Sequence, residues 1–145
     1  MTDLAGLHGL LTASQLHYER QRQALAGLLA EETTLRRELA RLDAMNRAQA
    51  GGPVSEMQLL GADVLWQAWV GRTKTRLNLR LSRVLARKGA EQVKVRKAFG
   101  KVTALSELIE AEKTRIRSKS AKAALDRAIR HGLQTGLDGR PKHWS

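Results

Sequence analysis

Histidine is the side chain in this chain best suited to acid–base or metal chemistry, and four are present: His8, His17, His131 and His143. No HExxH motif accompanies them, and none has a His or carboxylate neighbour at convincing ligand spacing. His17 and Glu19 stand two apart, so on a helix they do not share a face. Cysteine is absent, which excludes thiolate catalysis, disulfide scaffolds and Cys-ligated zinc or iron–sulfur sites. No strand pattern leads into a glycine-rich loop, so neither a P-loop nor a dinucleotide site is supported. These observations predict a non-enzyme with no catalytic residue, no metal and no cofactor.

The chemistry that the sequence does concentrate is electrostatic. Between Arg72 and Lys101 there are eleven Lys or Arg and one acid, Glu91. The first fifty residues are balanced at six basic and six acidic side chains, so the net charge of +12 arises entirely after Gly51. Such asymmetry points to an acidic protein surface, nucleic acid or an anionic membrane. The plain alternative is a solvated helix face that only keeps the chain in solution. Arginine and lysine release counterions from phosphate, yet no nucleic-acid-reading module is recognisable and aromatics are not interleaved with the arginines as stacking platforms. Trp66 and Trp69, one helical turn apart, are a contact for a partner, a membrane-interface wedge, or packing over the end of the first helix near Leu35 and Leu39. Phe99, beside Ala98 and Gly100, is either a contact residue or widens the core stripe near the N-terminus.

The elements that position these groups are helical. Leu, Ala, Arg, Glu, Gln and Lys dominate, charged residues make up 28%, and there are only two Pro, one Phe, one Tyr and three Trp. That composition predicts long helices or a coiled coil. With Leu4 at heptad position a, the a series reads Leu4, Leu11, Tyr18, Leu25, Glu32, Leu39, Asn46. The d series reads Leu7, Ser14, Gln21, Leu28, Leu35, Leu42, Gln49. Helix one therefore spans about residues 3–49, with Asp3 or Thr2 capping it. Gly51-Gly52-Pro53 stops it, and Ser55 with Gln58 forms a capping box for the next helix, giving a turn over about 50–55.

Helix two is expected over about residues 56–131, interrupted at Gly61 and Gly71, with a flexible basic tail over 132–145. Its first part reads as a poor seam, with Asp63, Gln67 and Lys74 on the stripe. From Leu77 the seam improves through Leu81, Val84, Val95, Ala98, Val102, Leu105, Ile109 and Ile116. A short turn between two long helices makes the fold all-α, an antiparallel coiled-coil hairpin with the second helix longer. Folding at Gly52 sets Leu28 near Leu81, Leu25 near Val84 and Leu7 near Val102. About 25 residues from Ser106 onward then overhang with Ile109 and Ile116 uncovered, which predicts a partner in trans. No leader peptide or membrane span is evident, and the absence of cysteine fits the reducing cytoplasm.

The heptads of Leu4 to Leu42, the break before Leu59-Leu60-Gly61-Ala62-Asp63-Val64-Leu65-Trp66, and the long Arg-rich helix ending in Ala98-Phe99-Gly100-Lys101-Val102 carry a family likeness. Across most of its length the chain resembles the stalk protein of the flagellar and type III secretion export apparatus, the FliJ and YscO group. The resemblance implies a non-enzymatic hairpin similar to the central shaft of rotary ATP synthases. It implies that one end enters the hexameric export ATPase, that the hairpin contacts the cytoplasmic domain of the export gate, and that export chaperones are further partners. Carried onto this chain, the open end with Leu4, Leu7, Phe99, Val102, Ile109 and Ile116 enters the ring. The cationic back, Arg76, Arg80, Arg83, Arg87 and Arg96, meets acidic surfaces, and Trp66 and Trp69 sit at the tip. A cytoplasmic location, peripheral at the membrane export machinery, follows from the same likeness. The first helix is short and the turn at Gly51 early for a typical member. A basic coiled coil that binds nucleic acid and a helical export chaperone or scaffold remain the alternatives.

Overall fold

The computed structural model describes residues 3–50 and 61–138, which form two helices, α1 over Leu4–Ala50 and α2 over Ala62–Asp138. They run antiparallel as a hairpin and the second is the longer. By proximity the chain divides into two compact units, Ser14–Gly100 and Met1–Ala13 with Lys101–Ser145, each drawing on both helices.

The start of α1 is closed by Asp3. Its carboxylate accepts a hydrogen bond from the Ala5 amide at 3.2 Å, and its carbonyl accepts one from Leu7 at 3.0 Å. The heptad phase is the one the sequence predicts. Every a and d position from Leu4 to Asn46 is at least partly covered, and on the rest of α1 only Glu31 and Asp43 are.

The expected second helix differs at both ends. Its described part opens after Gly61, whose φ of 88° is left-handed, and the stretch from Glu56 to Leu60 lies outside the described residues. A Cβ there would meet no atom within 4 Å, so the requirement for glycine is conformational. At the other end α2 passes His131 and continues to Asp138, seven residues into the expected flexible tail. Gly132 and Gly136 cost about 1 kcal/mol each relative to alanine. Their neighbours Leu133, Gln134 and Leu137 favour helix, and the Thr135 hydroxyl donates back to the carbonyls of His131 (2.9 Å) and Gly132 (3.1 Å). The glycine-proline turn at 51–53 and the Ser55–Gln58 capping box lie outside the described residues.

In the unit Ser14–Gly100, the cross-helix partners run in opposite order: Asn46 with Trp66, Asp43 with Lys74, Glu32 with Lys88, Tyr18 with Phe99. Leu35, Leu42, Val70, Leu77, Leu81 and Val84 form its core, with Leu28, Leu39 and Trp66 packed against it. The register departs from a fold at Gly52. Leu25 lies beside Gln92 and Val95 instead of Val84, a displacement of about two turns or more.

The seam of α2 also begins in a different phase. Trp66, Val70 and Thr73 are covered, whereas Asp63 and Gln67 are exposed. Two successive steps of four, Thr73 to Leu77 to Leu81, shift the phase where a strict heptad would alternate three and four. Lys74, half-buried beside this seam, pairs with Asp43 at 2.5 Å.

In the other unit, Leu7 and Ile109 are buried, at 5% and 3% exposure, and Leu4, Leu11, Val102 and Leu105 are half-buried. Ser106 and Ile109 are therefore not part of an uncovered overhang. Partial cover extends to Lys113, and every residue from Thr114 to Leu137 is exposed. At 1.5 Å per residue this bare stretch is about 36 Å long. No described helix is long and apolar enough to cross a membrane.

Candidate functional site

The basic face takes its form from the seam of α2. Arg76, Arg80, Arg83 and Arg87 each precede a seam residue, Leu77, Leu81, Val84 and Lys88, so steps of four, three and four align them along one flank. Arg72 extends that stripe at one end, Lys94 and Lys97 at the other. All seven are exposed. Arg96 follows its seam residue, Val95, and stands on the opposite flank, so it is not a member of the stripe. Among the described residues, the five arginines of the stripe and Lys97 have no carboxylate within 4 Å; Lys94 pairs with Glu91 at 3.3 Å. Reading the position before each seam residue identifies Arg72, Lys94 and Lys97 from sequence, once the seam phase is known.

The two tryptophans have different roles. Trp66 is half-buried against the core, and its indole N–H donates to the Asn46 side-chain oxygen at 3.2 Å; the same oxygen accepts from the Gln67 amide at 3.1 Å. Trp69 stacks on it with ring centroids 5.3 Å apart and remains 42% exposed. Trp66 is thus packing, and Trp69 beside it is left partly exposed. Trp69 opens onto a groove between the helices floored by Leu42, Met45 and Leu77 and edged by Arg41, Arg76 and Arg80.

The residues expected at the open end are not brought together as a surface. Leu7 and Ile109 are core residues of their unit, Leu4 and Val102 are half-buried, and Ile116 is 44% exposed at the start of the bare stretch. Phe99 belongs to the unit Ser14–Gly100, where its ring meets Tyr18 at 5.7 Å, with the Arg22 guanidinium 5.8 Å from the Tyr18 centroid. The exposed apolar groups that sequence reading missed lie further along α2. Leu125, Ile129, Leu133 and Leu137 recur every four residues, 51–70% exposed. Their spacing is visible in the sequence, but they fall in the stretch expected to fray.

Electrostatics fix the register of the packed helices. Glu32, at a seam position and 13% exposed, accepts from the Lys88 ammonium at 2.9 Å and from the Arg36 guanidinium at 3.2 Å. The Lys88 hydrogen bond, aided by Arg36 and opposed by partial desolvation, holds its carboxyl below the ordinary glutamate value. Glu112 is lowered in the same direction, chiefly by Arg115, whose guanidinium donates to both carboxylate oxygens at 3.1 and 2.6 Å. His8, His17 and His131 are exposed, and His143 lies outside the described residues. Among the described residues, no three His, Asp or Glu side chains converge as a metal site.

In comparisons with known proteins, no family model, no curated protein and no solved structure matches the chain.

Proposed function

We propose that this protein is a non-enzymatic coiled-coil stalk or adaptor of a flagellar or type III protein-export ATPase, linking the ATPase ring to the export gate. The observation that carries the reading is the bare stretch of α2. From Thr114 to Leu137 the helix is uncovered, carries Leu125, Ile129, Leu133 and Leu137, and holds six cations against one acid, Asp126. A helix that extends past its packed partner suits insertion into a ring, and apolar side chains left in water favour a partner in trans. In this reading the inserted segment is the bare stretch, not the buried pair Leu7 and Ile109. The arginine stripe of Arg76 to Arg87 contacts acidic partner surfaces. The action is positional: the stalk biases ring subunits toward assembly or nucleotide turnover while it touches the gate.

A second reading, nucleic-acid binding, is favoured by the stripe of arginines without intramolecular acids. A pull-down with the purified chain from nuclease-treated lysate of its own cell, read by mass spectrometry, separates the two. Recovery of an export ATPase or an export-gate domain is the expected result. Loss of every partner on nuclease treatment overturns the stalk in favour of nucleic acid.

A further inference from the structure

We propose that the groove beside Trp69 seats an acidic amphipathic helix of a partner protein, which lies along α1 and α2 as a third helix. The inference does not depend on the export reading and concerns a different surface from the bare stretch of α2. It rests on three features of the unit Ser14–Gly100.

The first is an apolar floor open to solvent. Met45 and Trp69 are 43% and 42% exposed, while Leu42 and Leu77 beneath them are buried. The Trp66 ring and its hydrogen bond to Asn46 hold Trp69 in place before any partner arrives. A rigid, half-exposed tryptophan over a packed floor is the usual centre of a binding hot spot, and Met beside it adapts to the incoming side chain. The second is charge. Arg41, Arg76 and Arg80 edge the groove, with Glu38 the one acid on its lining, and none of the three arginines pairs with a carboxylate among the described residues. An occupant with acids flanking an apolar stripe satisfies both features at once; a basic helix meets like charge. The third is length. From Trp69 to Arg87 the stripe runs about 27 Å, the length of a helix of about 18 residues. Docking with apolar residues at i, i+3, i+4 and i+7 is the helix-in-groove mode. A single exposed tryptophan without further stacking rings does not form a platform for successive bases.

The test uses the full-length chain and a labelled synthetic helix of about 18 residues, with Leu on one stripe and Glu on the other faces. Two controls share its length: one with Lys for Glu, one with the same composition scrambled. Anisotropy titrations at about 0.15 M salt keep weak surface attraction screened. The expected result is saturable binding of the acidic amphipathic peptide alone. Trp69→Ala, and separately Arg76→Glu with Arg80→Glu, each weaken it by about tenfold or more. Arg96→Glu, on the other flank, changes it by less than about twofold. All these side chains are exposed, and unchanged circular-dichroism melts show that the variants remain folded. The proposal is overturned if the scrambled peptide binds equally, or if Trp69→Ala has no effect. It is likewise overturned if single-stranded oligonucleotide, anionic vesicles or a second copy of the chain binds with that Trp69 dependence while the peptide does not.

Discussion

At the scale of single residues, the Glu32 layer and the tryptophan pair distinguish groups that hold the structure from groups left open to solvent. Glu32 sits where a heptad would place leucine, and its two hydrogen bonds, from Lys88 and Arg36, offset the desolvation of a seam carboxylate. Because its folded value is lowered, the pair stabilises the fold fully above about 4.5, the value of a free glutamate, and that contribution fades as pH falls through the lower folded value. A melt followed by circular dichroism from about pH 6 to about pH 3 should therefore lose stability on acidification. The loss should be smaller in a Glu32→Leu, Lys88→Leu variant, in which no carboxylate remains to titrate at this layer. An equal loss in both would place the acid sensitivity elsewhere. The tryptophans should separate in the same assay. Trp66→Phe removes the hydrogen bond to Asn46 and should cost about 0.5–1.5 kcal/mol, whereas Trp69→Ala should alter stability by about 0.5 kcal/mol or less. The reverse order would make Trp69 the packing residue.

At the scale of elements, α1 was legible in full and α2 only in part. From Leu4 to Asn46 every a and d position of the α1 heptads is covered, with only Glu31 and Asp43 covered beside them, because one uninterrupted period of seven sets both. Two things hid the phase of α2. Steps of four at Thr73, Leu77 and Leu81 break the heptad, so extending the clear seam backward leads to Asp63 and Gln67 instead of Trp66. Gly61, with its left-handed φ, stands immediately before the described helix. The observed register is why Ile109 appeared uncovered and is in fact buried, and the place of each cation beside its seam residue is why the arginine stripe gains Arg72, Lys94 and Lys97 and loses Arg96. The packed and bare parts of the hairpin differ in a measurable way. Leu35, 1% exposed, should cost about 2–5 kcal/mol when replaced by alanine. Leu125→Ala, at 60% exposure, should stay within about 0.5 kcal/mol. A comparable loss at Leu125 would mean that the end of α2 has a partner within the folded chain.

At the scale of the whole molecule, charge is distributed to leave α1 balanced while α2 carries the excess, and each half of α2 offers a different surface. Its first half, packed on α1, bears the arginine stripe and the groove beside Trp69; its last part is bare and amphipathic. Both suit a protein that acts by touching others, and the stalk reading assigns the bare stretch to the ATPase ring. The most direct measurement is ATP turnover by the purified export ATPase of the same cell, with and without the full-length chain. The account predicts that turnover rises on addition of the chain, and that Leu125→Asp with Ile129→Asp removes the increase while the melt is unchanged. Turnover that stays the same with the folded wild-type chain at saturating concentration, together with no co-migration of chain and ATPase, would contradict it.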